Sequence, residues 1–253
     1  MKLLAASRFL SGDKKSDSLK LRLSEKIVQK NSIKNIIILA LNDIKRELQN
    51  IISGNGAVRH GKTIRAINHY LGREKKAVSG TEKTKFVKAQ ETKILIDFIR
   101  QNNLWFENPD KSKYIGEGAE QKIYEHTDSK YIIKLNDSIF YEFWEDYFNS
   151  LLIHNFFFPH LAYELLGFYQ ESLKLYAVVK QPFVQSTEIT NLDNIRLFLL
   201  ENGFINKKAN DYFHPELGII VEDLHDENVL TKDGTLQFID TVFYLTPAFY
   251  KID

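Results

Sequence analysis

The stretch that most limits how this chain can fold is Val221–Asp240, VEDLHDENVLTKDGTLQFID. Asp233 and Gly234 lie between the apolar segments NVL and LQFI, and an Asp-Gly pair in that setting predicts a β-hairpin. A hairpin carries its two ends to one place. Asp223, Asn228 and Asp240 then meet at the D-x4-N…D spacing that phosphoryl transfer uses, with one carboxylate near an attacking hydroxyl and an amide and a second carboxylate on magnesium. Two ligands of one hard cation must sit side by side, as Asn228 and Asp240 do at the mouth of such a hairpin. Taken alone, the segment reads equally well as a surface hairpin with solvated acids.

The upstream chain separates the two readings. Tyr114–Asn136, YIGEGAEQKIYEHTDSKYIIKLN, is a Gly-rich turn, a short strand, a polar turn and a second strand. Gly116 and Gly118 lack a Cβ and let the backbone approach a phosphate closely. Lys134 stands mid-strand among Ile132, Ile133 and Leu135, where a bare ammonium is costly without an anionic partner. A helix expected over Ser138–Asn155 carries the apolar stripe Tyr141, Trp144, Phe148, Leu151 and Leu152. Glu145, at the edge of that stripe, and Glu142, one turn earlier, are the candidate partners for Lys134, with Glu145 favoured. Next, AYELLGFY and LKLYAVVKQPFV read as an antiparallel pair ending at Pro182. A connector there would expose the backbone of Gln181 and Phe183 to an adenine edge.

This order of motifs resembles the protein-kinase-like fold. VEDLHDEN is closer to the aminoglycoside-phosphotransferase branch than to eukaryotic protein kinases. GEGAEQKIY, LLIHNFFFP, VVKQPFV, DLHDENVL and FIDTVF together resemble the kinase-like domains of bacterial and phage polyvalent proteins, over roughly Leu95 to Phe243. The resemblance implies ATP and Mg²⁺ as cofactors. It implies Gly116 and Gly118 over the phosphates, Lys134 on the α/β-phosphates, Asp223 as the catalytic carboxylate, and Asn228 and Asp240 as magnesium ligands. His225 matches a family position for which buried packing is the simpler role. The departures are Gln121 where many kinases have a third loop glycine, Val221 and Glu222 before the catalytic Asp, and Thr241 and Val242 after Asp240. Only 13 residues follow Asp240, so an activation segment and the later helices of a large lobe are not expected within this chain. That departure bears on protein-substrate phosphorylation more than on nucleotide binding.

Composition adds boundaries and exclusions. Hydrophobic residues make up 43% and aromatics 13% of 253 residues, enough for a packed core. With no cysteine, disulfides, thiol catalysis and cysteine-held zinc are excluded. No apolar run reaches the ~18 residues a membrane helix needs, and Arg8 interrupts the only leader-like stretch, so a cytoplasmic protein without membrane association is expected. The net charge of +1 hides an asymmetry: residues 1–109 hold 22 Lys/Arg against 10 Asp/Glu, and residues 110–253 hold 12 against 23. The expected organisation is a basic helical region over 1–109 and a kinase-like domain over 110–253, with a small lobe to about 182 and a shortened helical large lobe beyond. In the N-terminal region, Ser32 caps a helix whose apolar face runs from Ile33 to Ile52 and which Gly54 and Gly56 end. Further helices are expected over Lys62–Leu71 and Glu82–Asn102, and Ser11–Lys20 reads as a tail or linker.

Two other motifs compete. Gly56–Thr63, GAVRHGKT, satisfies G-x4-G-K-[ST], in which Lys62 and Thr63 would serve a nucleotide. That motif needs a preceding strand, and the preceding segment has helical period. The basic run Arg59–Lys93 raises nucleic-acid binding, but mutual attraction of the two oppositely charged halves explains it more simply, and aromatics for stacking are few. The fold class expected is therefore α+β, a bilobal kinase-like core with a five-stranded antiparallel small lobe. Its expected function is ATP/Mg²⁺-dependent phosphoryl transfer to a hydroxyl of a protein or small molecule. A docking or nucleotide-binding module without turnover is the first alternative, and nucleic-acid binding through the basic region is the second.

Overall fold

The computed structural model describes residues 39–81, 87–107, 109–118 and 121–251. Two compact units divide it after Ile44, and the second, Lys45–Asp253, contains the sheets, the buried core and every site residue described below. The Ser11–Lys20 tail and the cap at Ser32 lie outside the described residues, as does the start of the helix expected from Glu82.

Among the described residues there are five α-helices. Residues 39–52 form α1. Then come α2 (Gly61–Thr81), α3 (Lys88–Gln101), α4 (Trp144–Phe157) and α5 (Leu192–Glu201). The first five strands are β1 (Tyr114–Glu117), β2 (Gln121–Glu125), β3 (Tyr131–Asn136), β4 (Glu164–Glu171) and β5 (Lys174–Pro182), and they make one antiparallel sheet in the order β1-β2-β3-β5-β4. Beyond Pro182 lie α5 and six strands: β6 (Ile205–Lys208), β7 (Asp211–His214), β8 (Ile219–Glu222), β9 (Val229–Lys232), β10 (Thr235–Phe238) and β11 (Val242–Leu245). β9 and β10 form the hairpin, and β11-β8-β7-β6 form a four-stranded sheet. The fold is thus α+β, with a helical N-terminal region. No described helix is long and apolar enough to cross a membrane.

The core is organised around α4. Ile51, Ile64, Ile67, Leu71, Leu95 and Ile99 from α1–α3 join Trp144, Phe148 and Leu152 of α4 and Phe168 and Val179 of the sheet in a single buried cluster. The helices ahead of the sheet are therefore packed into the same interior as the sheet. Buried polar contacts repeat the pattern. The Asn68 amide donates to Asn149 Oδ1 at 2.6 Å, and Asn155 Nδ2 donates to the Arg59 carbonyl at 3.0 Å. Gly167 shows how closely the chain preceding the sheet approaches it: a Cβ there would stand 2.5 Å from the Leu104 carbonyl oxygen. That carbonyl accepts from the Phe168 N–H at 2.8 Å.

α4 begins at Trp144 rather than at Ser138. Asn136 and Asp137 side chains accept from the backbone N–H of Ser138 and Ile139, at 2.7 and 3.0 Å, and Ser138 takes a positive φ of 53°. These local side-chain turns compete with the helix and delay it. Its N-cap position, Phe143, offers no side-chain acceptor, so the first-turn N–H groups must be satisfied from elsewhere. Glu91 of α3, only 1% exposed, does this, accepting from Trp144 N–H at 2.5 Å and Glu145 N–H at 3.2 Å.

The GAVRHGKT segment is a helix-to-helix turn. α1 precedes it where a phosphate-cradling loop needs a strand, and α2 begins at its second glycine, Gly61. Arg65 donates to the Gly54 carbonyl at 3.1 Å and to that of Gly56, so a side chain of the next helix ties down this turn. A Cβ on Gly56 would meet Ile51 N at 2.8 Å, which makes that glycine a packing requirement.

Candidate active site

Asp233 and Gly234 have φ of 50° and 72° at the hairpin tip, the doubly positive turn whose twist matches two antiparallel strands. The register runs from Thr235↔Lys232 to Phe238↔Val229. Just past it the Asn228 carbonyl accepts from the backbone N–H groups of Ile239 and Asp240, at 2.9 and 3.2 Å. Those two bonds hold Asn228 beside Asp240. On the other side of the turn, the Asn228 amide nitrogen donates to the Asp223 carbonyl at 2.8 Å and to Asp223 Oδ2 at 2.9 Å. The amide NH₂ is thereby spent on Asp223, and its oxygen is the atom left for a cation.

Asp223 has a φ of 62°, a conformation that Asp tolerates better than most residues. Its N–H donates to Asp211 Oδ1 at 3.3 Å, and the following Leu224 N–H donates to the Asn210 carbonyl at 3.2 Å. His225 is half-buried, with Nε2 3.3 Å from Asp223 Oδ1. Glu222, next in line, has its carboxyl pushed up by burial and by the negative charges of Asp211 and Asp223.

Lys134 arrives from the sheet above. It is 2% exposed; its Nζ donates to the Ile239 carbonyl at 3.0 Å and lies 3.5 Å from Asp240 Oδ2. Lys134 therefore pairs with Asp240, and not with Glu145 or Glu142, the partners expected from the sequence. Glu142 is exposed in the turn before α4, and a carboxylate oxygen of Glu145 lies 3.7 Å from where a Cβ on Gly72 of α2 would stand. The late start of α4 goes with this, because Glu145 then lies in the first turn and its carboxylate stands beside α2.

Gln121 shares the cleft face with Lys134. In the β2–β3 register Ile123 stands opposite Lys134, so Gln121, two residues before Ile123, points to the same side. Its amide donates to Asp240 Oδ2. Tyr163 completes the group, its hydroxyl donating to the Ile239 carbonyl at 2.8 Å and lying 3.5 Å from Asp240 Oδ1. Burial first, and then the Asp240 charge, push the Tyr163 hydroxyl well above its ordinary pKa.

These groups border a cavity of about 580 Å³ lined by Gly118, Gln121, Phe140, Asp211, Glu222, Asp223, His225, Glu227, Asn228, Asp240, Val242 and Tyr244. Gly118 belongs to it, whereas Gly116 sits two residues back in β1, opposite Ile123. A Cβ on either would meet no described atom within 4 Å, so packing does not demand these glycines; their smallness leaves bare backbone. A second cavity of about 410 Å³ shares the 225–230 turn and is lined by Ser186, Thr187, Glu188, Ile189, Thr190, Asp226 and Leu230.

Gln181 and Phe183 line neither cavity. β5 runs on through Pro182, which stands opposite Tyr131, so no connector opens at Gln181. The Gln181 side chain is fully buried and donates to the Leu161 carbonyl at 3.0 Å, and the Phe183 N–H donates to the Lys130 carbonyl at 2.8 Å. The adenine contact expected of these two residues is thus taken up by the sheet itself.

The residues the sequence reading did not assign to the site are Gln121, Tyr163, Asp211 and Glu222. The β2–β3 register carries a signal for Gln121 and adjacency to Asp223 carries one for Glu222. Tyr163 and Asp211 arrive by tertiary approach and carry no local signal.

Among the described residues no three His, Asp or Glu side chains converge tightly enough to hold a metal by themselves. A nucleotide-bound magnesium uses one or two carboxylates and completes its shell with phosphate and water oxygens. Asp240 and the Asn228 amide oxygen fit that donor set.

Residues 88–247 match the family described as the Serine/Threonine/Tyrosine kinase found in polyvalent proteins. The match spans more than half of the chain, and the chain belongs to that family. No curated protein and no solved structure matched it.

Proposed function

We propose that this member of the polyvalent-protein kinase family is an ATP- and Mg²⁺-dependent phosphotransferase that moves a γ-phosphoryl group to a hydroxyl. One observation carries the reading: Lys134, Asp223, Asn228 and Asp240, drawn from distant parts of the sequence, are joined through direct hydrogen bonds and one ion pair at the edge of a single cavity roofed by Gly118. Lys134 supplies positive charge for α- and β-phosphate oxygens. Asp240 and the Asn228 oxygen would hold magnesium, which when bound neutralises charge on the transferring group. Asp223, held by the Asn228 amide and leaning on His225, orients an acceptor hydroxyl and receives its proton. The cavity bordered by Ser186–Thr190 and Leu230 takes the nucleoside end. Asp240 and Gly118, which border the neighbouring cavity beyond the 225–228 turn, would then face the phosphate end.

A reading as a binding module without turnover is favoured by one feature. Lys134, Asp240, Asn228 and Asp223 already satisfy one another, and Gln121 adds a donor to Asp240. Calorimetric titration of the full chain with ATP, with and without Mg²⁺, followed by phosphate release or autophosphorylation assays, separates the two. Asp223→Asn is expected to retain nucleotide binding and lose turnover. Binding with no turnover on any acceptor supports the module. Absence of binding, or binding lost only on Lys62→Ala, sinks the kinase-like reading.

A further inference from the structure

In this chain α4 reaches the proposed metal site without a carboxylate on Lys134, and by a different route. Ser150 and His154 lie one helical turn apart on α4, and both project onto the three residues that follow Asp240. Ser150 Oγ accepts from the Phe243 N–H at 3.0 Å and from the Tyr141 hydroxyl at 3.2 Å, and donates to the Thr241 carbonyl at 3.5 Å. That uses the one donor and two acceptor positions of a hydroxyl. His154 is fully buried, with Nε2 3.2 Å from the Leu161 carbonyl and Nδ1 2.8 Å from Thr241 Oγ1.

The tautomer follows. A carbonyl only accepts, so Nε2 carries the proton. A neutral ring then has a bare Nδ1, and the Thr241 hydroxyl must donate to it. Burial, with Lys134 and His160 nearby, lowers the imidazole pKa to about 3, so the ring stays neutral wherever the protein is handled. On the other flank of Asp240 the Ile239 carbonyl is held by Lys134 and Tyr163. The backbone is therefore pinned on both sides of Asp240, from β3 on one side and from α4 on the other.

We infer that Thr241, Ser150 and His154 are positioning residues that set the direction of the Asp240 carboxylate from α4, in place of a helix glutamate paired with Lys134. The inference rests on reading Asp240 as a magnesium ligand. Groups that hydrogen-bond a metal ligand directly change metal affinity 10–100-fold when removed, and anchors of the backbone that carries the ligand are expected to act at the lower end of that range. Thr241→Val keeps the shape but cannot donate, and Thr241→Ser can. Ser150→Ala removes the other anchor and keeps a good helix former, should the valine variant fold poorly.

Two readouts on the full chain test this. The first is the Mg²⁺ concentration needed for half-maximal enhancement of ATP binding, measured beside ATP affinity in EDTA. Thr241→Val is expected to raise the Mg²⁺ requirement about tenfold, Thr241→Ser to leave it within about twofold, and neither to change the metal-free affinity. The second needs no ligand: amide exchange over residues 240–243, expected to quicken in Thr241→Val and Ser150→Ala and to match wild type in Thr241→Ser. Equal behaviour of the valine and serine variants, or a loss of metal-free affinity as large as the loss of metal response, overturns the inference. If exchange responds as expected but wild type shows no Mg²⁺-dependent nucleotide binding, the backbone anchoring stands and the phosphotransferase reading falls. If exchange over 240–243 is unchanged in both donor-lacking variants, the anchoring itself is refuted.

Discussion

Replacing Glu91 tests whether the helices ahead of the sheet belong to the kinase-like unit. The carboxylate is buried and accepts from two first-turn N–H groups of α4, at 2.5 and 3.2 Å. Phe143 at the N-cap has no side-chain oxygen to offer in its place, and the neighbouring Asp146 is engaged with the Phe143 N–H at 3.1 Å. Glu91→Ala therefore leaves two buried donors unpaired, at roughly 1–3 kcal/mol each, and relieves part of the cost of burying a carboxylate, for a net loss of about 3 kcal/mol. Glu91→Gln retains one acceptor and the shape, and should cost about 1 kcal/mol. Urea unfolding followed by fluorescence of Trp144, whose own N–H is one of the two donors, reports the change. With a slope of about 2–3 kcal/mol per molar, the alanine variant's midpoint should fall by about 1 M. A midpoint within about 0.2 M of wild type would show that solvent or another side chain caps α4 equally well, and the linkage of α3 to α4 argued above would be wrong.

Three further outcomes are expected. A chain beginning at Pro109 lacks Ile51, Ile64, Ile67, Leu71, Leu95 and Ile99 of the shared core; it should show no cooperative urea transition, and a sharp transition at the full-length midpoint would refute this and mark residues 110–253 as a self-sufficient domain. His154 has a folded-state pKa of about 3 against an ordinary 6.5. The unfolded chain therefore takes up its proton first, so stability from this residue is complete above pH 6.5 and declines as pH falls toward 3, by up to about 1.4 kcal/mol per unit. His154→Gln should flatten that part of the stability–pH curve relative to wild type, and parallel curves would refute the neutral buried imidazole. Gln121→Ala frees Asp240 Oδ2 from the amide that now covers it, so Mg²⁺-dependent ATP affinity should rise several-fold by calorimetry; a fall would mean that the amide serves the bound phosphates instead.

The hairpin could be read from the sequence because its information is local: Asp233 and Gly234 dictate the turn, and the turn dictates that Asn228 meets Asp240. The apolar segments of β2–β5, set off by polar turns, were legible for the same reason, whereas β1 reads as a Gly-rich turn. What failed was long-range or depended on competition between local preferences. The stripe from Tyr141 to Leu152 is helical in period, but Asn136 and Asp137 capture backbone donors first and push the helix start back to Trp144. That shift redirected Glu145 and left Lys134 to Asp240. Pro182 has the sequence signature of a strand terminator, yet at the end of β5 its missing donor is tolerated, and Gln181 stays within the sheet. The buried Glu91 could not be picked out, because nothing in KAQETK distinguishes a capping acid from a solvated one. The charge contrast between the two halves shows only part of how they are joined, since Ile51 through Ile99 bind the helices to the sheet by apolar burial.

β8 ends at Glu222 and β11 begins at Val242, and these two residues face each other in the ladder. Asp223 and Asp240 thus lie one and two residues outward on two strands that are stitched together. Their separation is inherited from main-chain pairing and does not have to be negotiated by flexible side chains. A motion that shifts one strand carries both carboxylates as a single floor, and whatever adjustment a guest molecule requires must come from the ceiling formed by the glycine hairpin.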